Sequence, residues 1–295
     1  FMREAFVSKA NVASLNPSRQ RPDLFVDERE FSTPLWSAVA KGTLADSTPF
    51  ILPSFTSATN VVADHSEGVE PSAGTYVTGS QTITPAPMSG KFTLVREIVD
   101  QGGNPQLSQI LWAKVRRAWN EALEAKVAAL LNASSASSIT ITTAAADAAL
   151  AKEFRTKLAA LQFVRGGFRF NNLPLHVDLY TAMIGAQDTT GRPLFPFVET
   201  NASSDNSAGT AGTAWGAIRA AGLVGVPSWA LGASGTVSAN SFLFDSGDVS
   251  GWATEPQDLN LADQDVANVY VGVWGYQATA VTDVTGVRKL AYDPV

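Results

Sequence analysis

Between residues 105 and 131, apolar side chains return every three or four positions. Leu107, Ile110, Leu111, Val115, Ala118, Trp119, Ala122, Leu123, Val127, Leu130 and Leu131 carry the repeat. The spacing predicts an amphipathic helix with one continuous apolar stripe, about 40 Å long at ~1.5 Å per residue. Asn104 is placed to cap it, and Pro105 occupies a first-turn position that needs no N–H donor. Lys114, Arg116, Arg117, Glu121 and Glu124 fall mostly on the opposite face. Few compact domains need so long a helix, and it reads as a spine.

Upstream the pattern is extended. Asn16-Pro17, Arg21-Pro22, Thr33-Pro34 and Thr48-Pro49 punctuate residues 1–50, and each proline pushes its predecessor away from helical backbone. Phe25, Phe31, Leu35 and Trp36 recur without a long period, with one short helical turn over Trp36 to Lys41, so this stretch reads as an arm lying across another surface. Phe55 to Ala63 and Tyr76 to Pro85 are rich in Thr, Val and Tyr and predict a two-stranded ribbon. The acidic stretch 64–71 joins its strands, and a third run, Lys91 to Ile98, leads back out. Such a ribbon is marginal in water alone, and this one has few large apolar side chains. The first hundred residues therefore hold too little interior of their own and need other copies against them.

Downstream, Ser134 to Thr143 predicts a turn and a short strand. A second helix follows over about 145–164, with Leu150, Phe154, Leu158 and Leu161 on one face, and Gly166-Gly167 stops it. A strand over Leu173 to Val177 then leads into a helix capped by Asp178 and ending near Gln187. The polar stretch Asn201 to Gly212 reads as a mobile loop and Trp215 to Ala221 as a short helix. From Val237 on the chain is mostly strand, with Val269 to Val281 long enough to cross a whole domain. No internal repeat is evident. The order of elements is that of an α+β fold, not of repeated βαβ units.

Composition sharpens this picture. Only 16% of the 295 residues are charged and 45% are hydrophobic, whereas ~25% charged is usual for soluble domains, so much of the surface is expected to be covered. A net charge of −6 provides no basic field for tight nucleic-acid binding. There is no cysteine, which excludes disulfides and thiolate chemistry and suits a reducing cytoplasm. No apolar run approaches a membrane span, and no signal-peptide layout opens the chain. The opening Phe1-Met2 reads as a cleavage point or an ordered boundary.

The search for chemistry finds no catalytic, cofactor or metal residues. His65 and His176 are far apart and read as a solvated loop residue and a locally hydrogen-bonded strand residue. Asp245-Ser246-Gly247-Asp248 lacks the twelve-residue calcium-loop pattern and reads as a turn. Nucleophile elbows and glycine-rich phosphate loops are absent. The basic clusters Lys114 to Arg117 and Lys152 to Lys157 read as solvated or intersubunit faces.

The order of parts carries more. The ribbon with Glu67-Gly68 at its turn, the run Thr82-Ile83-Thr84-Pro85, and Met88 to Ile98 lead straight into the long helix. Asp188-Thr189-Thr190-Gly191-Arg192, Leu223-Val224-Gly225-Val226-Pro227 and Phe242-Leu243-Phe244-Asp245 follow in sequence. This arrangement resembles the major capsid proteins of tailed bacteriophages, the Hong Kong 97-type capsid fold. The resemblance implies an N-terminal arm (1–50) and an extended loop (51–98) laid over a neighbour. It implies a peripheral domain (99–165 and 250–275) built on the spine helix 105–131, and an axial domain (166–249 and 276–295). It further implies hexamers and pentamers of one chain in an icosahedral head around double-stranded DNA, held without sequence-specific contacts and assembled in the host cytoplasm. A portal protein, with scaffolding, protease and cementing proteins, would be the other partners; no membrane is involved. Some relatives cross-link through a lysine of the extended loop, but no lysine lies between Asn60 and Gly90, so a non-covalent shell is expected. The intersubunit residues expected are Asp64, Glu67 and Glu70 on the ribbon turn, Arg116, Arg117 and Lys126 on the helix, and Trp36 in the arm. An encapsulin-type nanocompartment is the nearest rival reading. A hydrolase with a carboxylate site is the rival of another class, and no spacing favours it.

Overall fold

The computed structural model describes residues 31–59, 62, 64, 66–70, 73–96, 106–144, 147–164, 166–198, 216–232, 240–261 and 266–294. The long helix runs over Gln106–Ala133, close to its predicted span; Asn104 and Pro105 lie outside the described residues. Val115, Trp119, Leu123, Val127 and Leu131 are buried at four-residue steps, forming a ridge inclined to the helix axis. Its first part, Val115 to Leu123, lies on a sheet whose hub is β12, Asn268–Val281. Gln277 pairs with Ala86 on one side and Ala253 on the other. Strand β4 (Ala86–Val95) therefore takes one edge of β12, while β11 (Gln257–Leu261) and β10 (Val249–Ala253) share the opposite edge. The short strand β1 (Ala40–Thr43) runs parallel to β10 and extends the sheet outward.

A second sheet joins β5 (Ser137–Ile141), β13 (Val287–Tyr292) and β9 (Asn240–Phe244), with β13 central. Ser241 to Phe244 are all buried. Phe242 and Phe244 pack into the core under the long helix, whereas Leu243 joins a separate core on the other face. That core also contains β6 (Leu173–Leu175), β8 (Leu223–Pro227) and β7 (Ile218–Ala220). Two helices, Ala148–Ala160 and Val177–Gly185, cover it. The Phe154 and Phe195 rings meet edge to face at 5.8 Å within it.

Several expectations need correction. Residues 34–43 are not a detached arm. Leu35 is fully buried in the core under the long helix, the short helix spans Pro34–Ala38, and β1 is a strand of the main sheet. Strand β4 likewise belongs to the body, so among the described residues of this region it is the ribbon that is left uncovered. The helix expected over 215–221 is instead β7: Ile218 and Ala220 are buried and Arg219 is exposed, a two-residue period. Ala221 and Gly222 at φ 50° and 89° make the tight primed turn into β8 that a hairpin favours. His176, not Asp178, caps the helix Val177–Gly185, its ring accepting from the Asp178 N–H. The helix Ala148–Ala160 packs with Leu173 and Leu179 rather than under the long helix, so a division of the chain at 165 does not follow the packing. The arm residues 1–30 and the stretch 201–212 lie outside the described residues.

Candidate intersubunit surface

The ribbon is β2 (Phe50–Thr59) paired antiparallel with β3 (Thr75–Ile83), with a register shift between Phe55 and Ser57. Its root is anchored. Ile83, Phe50 and Leu52 pack with Ala278, Ala280 and Trp252 on the main sheet, and the Phe50 ring meets Trp252 edge to face at 5.1 Å. Beyond the root nothing among the described residues covers it: Phe55 is 83% exposed, Tyr76 71% and Val62 93%. Such a row of apolar groups on an outlying ribbon is the signature of a surface that another molecule buries.

The charge of the ribbon is one-sided. No lysine or arginine occurs between Gly42 and Gly90, whereas Asp46, Asp64, Glu67 and Glu70 do. Asp64, Glu67 and Glu70 are all exposed around the turn, where Gly68 takes φ 80° and the Val69 N–H donates to the Ser66 carbonyl at 3.1 Å. The predicted basic counterparts sit on the long helix. Arg116 is exposed and forms an ion pair with Asp258 of its own β11 at 2.7 Å; an exposed pair of this kind contributes about 0–1 kcal/mol, so it can exchange partners at little cost. Arg117 is half-buried and Lys126 exposed. Trp36 is spent within its own chain: its ring packs on the bare backbone of Gly251, where a Cβ would overlap it, and the Lys41 ammonium sits 6.0 Å from the ring centroid.

Sequence reasoning missed Glu124, the one charged side chain buried completely among the described residues. Its Oε1 accepts from the Leu35 N–H at 3.0 Å and from Ser228 Oγ at 2.9 Å, and its Oε2 accepts from the Trp36 N–H at 2.7 Å. Burial pushes the carboxyl above its ordinary range, and these hydrogen bonds oppose the shift. A helical wheel holds the signal, since Glu124 lies three residues before Val127 and seven before Leu131, inside the buried stripe.

The other candidates resolve into structure. Asp245 to Asp248 form a turn: Asp245 accepts from the Gly247 N–H, and Asp248 and Asp283 both face Arg169, at 3.0 and 2.8 Å. Burial raises the Asp248 carboxyl. Asp188 closes its own turn by accepting from Thr190 and from the Arg192 N–H, and the Thr190 hydroxyl is the largest influence holding its carboxyl below the usual range. Gly225 permits β6 and β8 to approach, since a Cβ there would come within 2.7 Å of Leu175. His176 is buried, and His65 lies outside the described residues. A cavity of about 190 Å³ between β4 and the long helix is lined by apolar groups including Met88, Phe92 and Trp119. Among the described residues, no group of three or more His, Asp or Glu is placed to hold a metal ion. No helix among them is long and apolar enough to cross a membrane.

No protein-family model matches the chain, and no curated protein matches it in sequence. Solved structures do match in shape. The capsid of a native GTA particle, computed with C5 symmetry, superposes with a TM-score of 0.70 at 13% identity, covering 98% of this chain and 100% of that one. A structure from Gordonia phage Cozz gives 0.64 at 12% identity, covering 99% and 96%. The capsid structure of the cyanophage P-SCSP1u gives 0.63 at 10%, covering 96% and 95%. At these identities the likeness is one of fold, and it extends from end to end: the chain has the mixed α+β fold of phage capsid proteins.

Proposed function

We propose that this protein is a shell subunit, the major capsid protein of a tailed phage, and that the ribbon is laid over a second copy. The observation that carries the reading is the uncovered, acidic and apolar ribbon, rooted on a body with a capsid fold. Closed symmetry repeats each modest contact many times, so a shell holds although no single contact is strong. Hexamers and pentamers around double-stranded DNA, in a head assembled in the bacterial cytoplasm, are the fuller form of this proposal. Residues 1–30 would be the arm and the ribbon the extended loop. The body around β12 and the long helix would be the peripheral part, and the body around β6, β8 and β7 the axial part.

Within it, Asp64, Glu67 and Glu70 of one copy face basic residues such as Arg116 or Lys126 of another. Such pairs set register more than strength. Negative-stain microscopy of the purified protein, with its nucleic acid assayed, should show closed shells. Glu67→Lys should slow assembly at low salt, with the deficit shrinking as salt screens the surface. Unassociated monomers under all conditions would refute the shell reading. Salt-independent assembly of E67K at the wild-type rate would refute the charge pairing alone.

A further inference from the structure

We propose that Glu124 is a proton-sensitive clasp that holds the strap formed by residues 33–43 against the long helix, gripping more tightly as pH falls. The geometry that carries it is a carboxylate with no solvent access set between three elements. The long helix supplies the side chain. The short helix Pro34–Ala38 supplies two N–H donors from its first turn, groups that no bond within the helix can satisfy. The turn before Trp229–Leu231 supplies the Ser228 hydroxyl. A buried carboxylate commonly has a cation beside it. Here every hydrogen-bond donor is neutral.

The surroundings leave Glu124 as the group that senses the proton. The short helix, with sequence PLWSA, and the turn segment WAL carry no titratable side chain. On the long helix the nearest charged neighbours in sequence are Glu121 and Lys126, half-buried and exposed. On the strands packed against it, Lys41 sits over the Trp36 ring and Lys91 over the Tyr270 ring. The forces on the carboxyl are burial, which favours the neutral form, and the hydrogen bonds from Trp36, Leu35 and Ser228, which favour the charged one; burial is larger.

The site also has room for the proton. If Oε1 gains it, the new O–H can donate to Ser228 Oγ, because a hydroxyl turns from donor to acceptor by rotation. Both oxygens keep lone pairs for the Leu35 and Trp36 N–H groups, so the clasp stays closed when neutral. With the strap lifted away the carboxyl meets water and returns to the ordinary range of a solvated glutamate. The docked carboxyl thus binds its proton more tightly than the undocked one. By linkage the strap gains hold as pH falls, and the gain is lost as pH rises through the docked value.

The inference rests on a single chain's packing and stands whether or not the shell reading holds. Hydrogen exchange of the full chain tests it, with protection of residues 35–43 corrected for the intrinsic pH dependence of exchange. Between pH 4 and pH 8, strap protection should fall several-fold relative to that of β13. Glu124→Gln keeps an oxygen acceptor without a titrating charge and should flatten the profile, whereas Glu121→Gln should leave it unchanged. Wild-type protection that is flat or rises with pH would overturn the proposal without any variant, so the test survives a failure of E124Q to fold. An E124Q profile with the wild-type slope would overturn it equally.

Discussion

Replacing residues 54–79 with a two-residue Asn-Gly turn leaves the subunit folded and abolishes its assembly. The cut joins Pro53 to Ser80, which already face each other across the ribbon, and Asn-Gly suits the primed turn that a two-residue hairpin requires. Everything anchored stays: Phe50, Leu52 and Ile83 remain against Ala278, Ala280 and Trp252. The large apolar side chains described in the removed stretch touch little of their own chain, since Phe55, Val62, Tyr76 and Val77 are all largely exposed. The expected change in stability is therefore within about 0.5 kcal/mol, the range for surface changes away from packed features. Assembly loses the apolar face of every ribbon at once. Thermal unfolding and sedimentation, run side by side, separate the two effects. A shortened chain that still closes into shells would show that the ribbon is not the joining element.

A large effect on stability is expected from a much smaller change. Gly275→Ala places a methyl group in the overlap zone of Thr254 Oγ1 and the Trp119 ring, where β12 meets the long helix. Neither neighbour is a loose end: Trp119 is 4% exposed, and Thr254 Oγ1 accepts from the Tyr276 N–H at 2.9 Å. Overpacking of this type costs about 1–3 kcal/mol, and each kcal/mol lowers the melting temperature of a chain this size by about 2–4 °C. Gly90→Ala is the matched control on the adjacent strand. Its added carbon would stand 3.9 Å from Val273 Cγ1, an ordinary contact, and should shift the melting temperature by less than about 2 °C. Equal melting temperatures for G275A and the wild type would mean that the helix does not bear on the sheet at this point.

What the sequence discloses, and what it conceals, follows from how local each signal is. The long helix is legible because its stripe of Val115, Trp119, Leu123, Val127 and Leu131 depends on the helix's own period. Strand β12 is legible because fourteen residues are too long a run for a turn or loop. Strand β7 is not, because a single alternation over three residues is too short to separate strand from helix, and the Ala221-Gly222 turn that makes it a hairpin arm uses a non-glycine residue at positive φ. The body-bound role of residues 34–43 is hidden for a different reason. Leu35 and Trp36 read equally well as contacts to another copy or to the parent chain, and only the partner surfaces, Gly251 and Glu124, distinguish them. The charge of Glu124 suggests the polar face, although its angular position places it with Val127 and Leu131. Its charge hides that position, because the donors that satisfy it lie 89 and 88 residues earlier and 104 residues later in the chain. Ribbon, helix and motif order resembled a capsid chain, and the match in fold runs the full length.

Strand β9 is buried on both faces, with Phe242 and Phe244 in one core and Leu243 in the other. A slab walled in this way has no seam along which its two halves could slide, for tilting either half would open voids in both cores. In the proposed shell, tiles of a closed surface nevertheless meet their neighbours at unequal angles. The accommodation must then occur at the margins, in a ribbon that rests on its own body only at its root. On this view the subunit is a stiff plate with compliant edges, and differences among its copies in a finished shell should be concentrated in those edges.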